Sequence, residues 1–177
     1  MTLLLTLVLG CASFQRGTLG DESWTVERRV NRVSYFTHGT TVWGHEFGFL
    51  KAGDCKNDIL WLTFSARDEK VKDFDNKDIL ISLTVDKKDY RIEVPMMYMG
   101  VIGFTHVMYF TNWVAEEELL GALMKGRHAK VRILEPKELE ALLDIKEDRF
   151  GLKGFVASRE EAERVCKSIL SDARKDR

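Results

Sequence analysis

Asp78-Ile79-Leu80-Ile81-Ser82-Leu83-Thr84-Val85-Asp86-Lys87-Lys88-Asp89-Tyr90-Arg91-Ile92-Glu93-Val94 reads as two strands joined by a polar turn. Ile79, Ile81, Leu83 and Val85 recur at every second position. Tyr90, Ile92 and Val94 do the same against Arg91 and Glu93. Successive side chains of a strand point to opposite faces, so a period of two gives each strand one core face. Asp86-Lys87-Lys88-Asp89 supplies the turn, and the pair is an antiparallel hairpin running to Met97.

Toward the N-terminus the same signals continue. Ile59–Ser65 is a compact apolar run of strand length, preceded by the polar turn Gly53–Asp58 and followed by a charged loop, Ala66–Lys77. Thr40–Leu50 is aromatic and broken by Gly44 and Gly48, which suits an irregular strand. Trp24–His38 carries Trp, Val, Tyr and Phe among arginines and reads as one or two strands.

Toward the C-terminus, Tyr98–Phe110 is apolar on both faces, with glycines at 100 and 103. It is either a buried strand pair or an exposed, sticky one. Asn112 suits the N-cap of a helix over Trp113–Lys125, whose stripe is Ala115, Leu119, Leu120, Leu123 and Met124, with Gly126 beyond its end. Ala129–Leu134 is a strand, Pro136–Asp144 a short helix starting on its proline, and Arg149–Val156 a strand. Ser158-Arg159-Glu160-Glu161 matches a capping box opening a last helix, with Ala162, Val165, Cys166, Ile169 and Leu170 on one side. Runs of strands with segregated helices predict a mainly β fold of α+β character. The expected form is an antiparallel β-sandwich or open barrel with one inserted helix and a C-terminal helix.

Leu3–Leu9 is apolar and stops at Gly10-Cys11-Ala12-Ser13. A membrane span needs about 20 apolar residues, whereas a signal-peptide core of roughly 7–15 fits. Val8-Leu9-Gly10-Cys11 resembles the lipobox of bacterial lipoproteins, although Leu9 is bulky for its place and no Lys or Arg precedes the run. The resemblance implies cleavage after Gly10, diacylation of Cys11 and a membrane partner held through lipid. With Ala12 following the cysteine, it implies the periplasmic face of the outer membrane, the inner membrane being the other option. The expected organisation is a signal over residues 1–10, a lipidated tether over 11–23 and one β-rich domain over 24–177. The competing reading of Thr2–Leu9 is a buried first strand.

With Cys11 assigned to lipid, Cys55 and Cys166 remain as an even pair in an oxidising compartment, and a disulfide is expected. It would close a loop of about 110 residues and stabilise by ~4–5 kcal/mol in the chain-entropy account. Two free thiols, one buried and one exposed, are the alternative. Charge is balanced, 27 Lys+Arg against 28 Asp+Glu, which argues against nucleic acid as a partner.

The closing order is a helix ending at Gly126, a strand, Phe150-Gly151-Leu152-Lys153-Gly154-Phe155 and a helix with Cys166. It resembles small periplasmic β-sandwich proteins of the invasion-associated protein B type and the related type VI secretion-associated lipoproteins. That resemblance implies structural roles for Gly154-Phe155 and the two cysteines, and no catalytic residues.

Catalytic signatures are sparse. The chain has no phosphate-binding glycine loop, no Cys-x-x-Cys and no His-Glu-x-x-His. Asp73–Asp78 has Lys77 where a calcium loop needs a ligand. Asp54 and Asp58 beside Cys55 oppose a thiolate nucleophile. His38, His45 and Glu46 are the one set that could hold zinc. Met96, Met97, Tyr98, Met99, Ile102, Phe104, Met108, Tyr109 and Phe110 concentrate soft and aromatic side chains, the chemistry of adaptable protein contacts as well as of ordinary core. The expectation is an envelope lipoprotein without cofactor that binds another envelope or secretion component through part of Met96–Met108. The alternatives are a small metal-dependent hydrolase using His38, His45 and Glu46, or a cytosolic phage or plasmid protein with a signal-like first strand.

Overall fold

A computed structural model describes residues 23–42 and 44–175. The signal expected over residues 1–10, Cys11 and all but the last residue of the tether expected over 11–23 lie outside the described residues, as does the competing first strand over 2–9. Nine antiparallel strands form one sheet: β1 (Thr25–Arg28), β2 (Arg32–His38), β3 (Glu46–Ala52), β4 (Ile59–Ala66), β5 (Asp78–Val85), β6 (Lys88–Ile102), β7 (Thr105–Phe110), β8 (His128–Glu135) and β9 (Glu147–Gly151). Their order is β1-β2-β3-β4-β7-β6-β5-β8-β9. Three helices accompany them: α1 (Glu117–Lys125), α2 (Lys137–Leu142) and the long C-terminal α3 (Phe155–Lys175). The chain is mainly β, as the alternation predicts.

The hairpin that opens the reading is β5–β6. Ile79 pairs with Val94, Ile81 with Ile92 and Leu83 with Tyr90, and the isoleucines, Leu83 and Val94 are buried. The second strand does not stop at Met97. It runs for 15 residues, pairing with β5 as far as Pro95 and with β7 from Met96 to Ile102. Pro95 has no N–H to give a ladder, and it stands where the strand changes partner. β6 therefore belongs to both halves of the sheet. At the far ends the Trp24 indole donates to the Gly151 carbonyl at 2.9 Å, and the Thr40 N–H donates to the Arg149 carbonyl at 2.9 Å. Those bonds draw β9 toward the β1–β3 side, so the sheet curls into an open barrel.

The core fills that curl. Tyr35, Phe47, Phe49, Phe64, Phe110 and Phe150 are fully buried on the inner side. α3 lies across β1–β3 and inserts Phe155 between Trp24, Tyr35 and Phe49, with ring centroids 5.0, 6.0 and 6.0 Å away. Burying such a side chain stabilises by roughly 1.5–3 kcal/mol.

Several elements differ from the sequence reading, each for a local reason. The helix expected from Trp113 begins at Glu117, with Glu116 as its N-cap. Asn112 turns with φ 67° instead, and Trp113–Ala115 docks as extended chain: the Trp113 carbonyl accepts from Leu60 N–H, and Ala115 N–H donates to the Asp58 carbonyl. Gly126 has φ −75° and is not a left-handed cap. A Cβ there would meet Val85 Cγ1 at 2.7 Å, so close packing requires the glycine. β9 ends at Gly151, and α3 starts at Phe155 after Gly154 (φ 98°). Ser158 is thus inside the first turn, its N–H donating to the Gly154 carbonyl, and is not a capping residue. The loop after β4 contains a 3-10 helix, Glu69–Phe74, which buries Val71. Cys55, in the turn read as polar, is 1% exposed, against the alternative of an exposed free thiol.

Candidate interaction site

β6 and β7 meet in the two-residue turn Gly103-Phe104, with Gly103 at φ 62° in the first position. A type II′ hairpin turn needs positive φ there, which glycine supplies without strain. Tyr98–Phe110 is therefore a strand pair that is core at its root and exposed at its tip. Met96, Met108 and Phe110 are fully buried. Beyond them the exposure rises: Met97 39%, Met99 62%, Val101 57%, Ile102 69% and Phe104 95%. The register slips by one residue between Tyr98 and Gly100 (φ 110°), leaving Met99 in a bulge. Tyr98 and His106 stiffen the neck of the hairpin, the Tyr98 hydroxyl and His106 Nδ1 lying 2.7 Å apart. Tyr98 N–H donates to Asp75 Oδ1 at 2.8 Å.

Two buried polar clusters support the frame. Lys51 and Asp58 flank the β3–β4 turn and pair at 2.8 Å, both fully buried. Arg159 on α3 donates from Nε and Nη2 to Asp58 Oδ2 at 2.9 and 2.7 Å, and the Tyr35 hydroxyl donates to Oδ1 at 2.5 Å. Burial pushes the Asp58 carboxyl up, but the bonds from Arg159, Lys51 and Tyr35 outweigh it and hold it below the ordinary range. The Tyr35 phenol is pushed well above its usual value, first by burial and then by Asp58.

The second cluster is His45 with Asp148, both buried. His45 Nδ1 lies 2.9 Å from Asp148 Oδ2, and Nε2 accepts the Ser65 N–H at 3.1 Å. A backbone N–H can only donate, so the ring carries its hydrogen on Nδ1. Asp148 also accepts from the N–H groups of Thr41, Val42 and Arg149. Burial raises its carboxyl, but the bonds from His45, Arg149 and Thr41 outweigh it and leave a net depression. Both His45 nitrogens are thus engaged. His38 and Glu46 share a register position on the opposite sheet face, and Glu46 accepts the Trp61 indole N–H at 2.8 Å. The structure does not bring His38, His45 and Glu46 together. Among the described residues there is no cluster of three metal-ligating side chains.

Cys55 and Cys166 are bonded, S–S 2.05 Å, with Cα atoms 5.8 Å apart. On α3, Arg159, Ala162 and Cys166 follow the i, i+3, i+7 spacing of one helix face, so the same turn is gripped by a salt bridge and a covalent bond. Sequence reading missed Lys51 and Asp58 as partners, although a signal exists: Phe47, Phe49 and Lys51 are alternate residues, which places the lysine inward. It also missed Val101 at the tip. No family model, curated protein or solved structure matches the chain. The class the geometry defines is an open β-barrel, tied by a disulfide, with a projecting apolar hairpin.

Proposed function

We propose that the chain is a bacterial cell-envelope lipoprotein, anchored through acylated Cys11, that acts as a non-catalytic binding module. The β6–β7 tip meets another envelope component. The observation that carries this reading is the tip itself, five exposed apolar side chains headed by Phe104. Exposed apolar side chains gathered at one projecting end of a fold mark an interaction site. The disulfide supports an oxidising compartment. His45, locked by Asp148 and Ser65, favours binding over hydrolysis. The test is palmitate labelling of cells expressing the wild-type chain, with Cys11→Ser as control. Label on the wild type alone, in the membrane fraction, is the expected result. An unlabelled, freely soluble wild-type protein overturns the reading. A reporter fused after Ser13 that stays in the cytosol would favour the phage or plasmid alternative.

A further inference from the structure

We infer that the envelope component met by the hairpin tip is the lipid surface itself, into whose headgroup boundary Phe104 and its neighbours sink. The inference rests on the lipoprotein reading and names what the tip touches. The register decides the shape of the tip. Ile102 pairs with Thr105 and Val101 with His106, and successive residues of a strand point to opposite faces. Ile102 therefore stands with Met97 on the face of Thr105 and Tyr109, and Val101 on the face of His106 and Met108. Phe104 closes the end between them, 95% exposed. A protein partner with one docking surface covers one face of a hairpin and leaves the other in water. A medium that surrounds the tip covers both.

The backbone favours the same occupant. β7 is paired on its β4 side as far as His106, opposite Ala66. Phe104 stands two residues beyond that pair, about 7 Å at 3.4 Å per residue, which is the roughly 5–10 Å depth of interfacial insertion. The free edge of β6 is short, residues 99–102, and Met99 bulges in it. A short, bulged edge discourages a further strand. At the turn the Ile102 carbonyl accepts from Thr105 Oγ1 at 3.1 Å, which shelters a group that hydrocarbon would leave unsatisfied.

Charge and the path of the chain agree. From Met96 to Phe110 the sequence has no Lys, Arg, Asp or Glu. Residues 67–77, which leave β4 at the same end of the sheet, carry four cations and four anions. The attraction is therefore apolar and not electrostatic. β1 begins toward that end too. Thr25 lies opposite Phe36, Phe36 opposite Gly48 and Gly48 opposite Trp61, from which β4 runs on to Ala66. Along the strands Thr25 is about seven residues, or about 24 Å, behind Phe104. Trp24 lies 13 residues after Cys11, a reach of at most about 45 Å. An acyl chain on Cys11 and the Phe104 ring can thus share one bilayer surface. The anchor keeps the tip at high effective concentration there, so shallow insertion suffices.

The test uses the full-length chain with Cys11→Ser, Leu5→Lys and Leu7→Lys, so that neither an acyl chain nor the apolar run before Cys11 reaches lipid. It is floated with phosphatidylcholine vesicles at millimolar lipid. This parent chain is expected to float. Raising salt from about 0.1 to about 0.5 M should leave the bound fraction unchanged, because no screened charge holds it. Phe104→Asp, Val101→Asp and Ile102→Asp should each weaken flotation at least ~10-fold, since each puts a charge into the apolar boundary. Phe104→Leu should retain it, and all four should keep the parent's melting temperature and disulfide. A parent chain that does not float overturns the inference. So does flotation abolished by salt or indifferent to Phe104→Asp. Loss in Ile102→Asp with none in Val101→Asp, or the reverse, overturns it too, because it marks a partner on one face. A Phe104-dependent dimer in sedimentation velocity, without flotation, overturns it in favour of a second copy. Palmitate labelling reports on the lipoprotein reading independently. A labelled wild type whose tip ignores lipid removes this inference and leaves the anchor standing, and an unlabelled chain that floats through Phe104 does the reverse.

Discussion

Lys51 and Asp58 form an ion pair at 2.8 Å with neither side chain more than 1% exposed, at the two ends of the turn that carries Cys55. A lysine taken wholly out of water needs its carboxylate. Asp58 answers to Arg159 and Tyr35 as well, so it is the centre of the cluster.

Asp58→Ala should therefore cost about 3–5 kcal/mol of stability, because it leaves a buried cation without its partner. Lys51→Met should cost clearly less. It removes the buried cation outright, and Asp58 keeps both bonds from Arg159 and the one from Tyr35. Urea unfolding of the two variants checks the order. Equal losses, or a worse Lys51→Met, would mean that the cluster is not centred on Asp58.

The acid limb of stability should follow the same carboxylates. Asp58 and Asp148 both titrate lower in the folded protein than the ordinary carboxyl. The unfolded chain then binds more protons as pH falls, so their stabilisation is complete above about pH 4–5 and is lost as pH drops through the folded values. Glu46 acts in the opposite sense. Burial raises its carboxyl, so the stability it costs when ionised is recovered on protonation. Melting temperature against pH should be flat near neutrality and fall below about pH 4, with a shallower fall in Asp148→Asn. A curve that does not change in that variant would reject the assignment.

Cys166→Ser should lower stability by about 2–5 kcal/mol. Mild reductant should do the same to the wild type and nothing to the variant, since Cys55 then has no partner to lose. Thermal melts with and without reductant decide it. A wild-type melt left unchanged by reductant, with thiol titration showing two free thiols, would show that the bond adds no stability.

Gly48 lies beneath the stacked rings of Phe36 and Trp61, whose centroids are 5.9 Å apart, with Trp61 opposite it in the ladder. A Cβ there would stand 2.1 Å from the Tyr35 carbonyl oxygen and 2.6 Å from Phe36 Cβ. Backbone cannot yield as a flexible side chain can, so Gly48→Ala should cost about 1–3 kcal/mol. Gly44→Ala meets no atom but is strained by its φ of 101°. A stable Gly48→Ala would refute the close approach.

Strands were legible wherever a period of two was unbroken, as in Asp78–Val94, and the cysteine pair followed from their number once Cys11 was set aside. The continuity of β6 was hidden because Pro95 and Gly100 look like endings; only pairing on alternate sides keeps the strand going. The start of α1 was misjudged because Trp113–Ala115 satisfies its backbone on β4, a tertiary choice with no local mark. His45 looked like a ligand because its partner, Asp148, is 103 residues away in sequence. The apolar hairpin was readable in composition, but not which half was core. That depends on where β5 stops.

The strand shared by both halves of the sheet has a mechanical consequence. Phe104 is not the crest of a loop that can swing on its own stems. It is the free end of a cantilever whose root is pinned by the whole length of β5. A force applied at the tip is carried along one continuous backbone into the body of the barrel. Whatever docks there meets a surface that is already ordered, and the entropy of arranging it was settled when the domain folded.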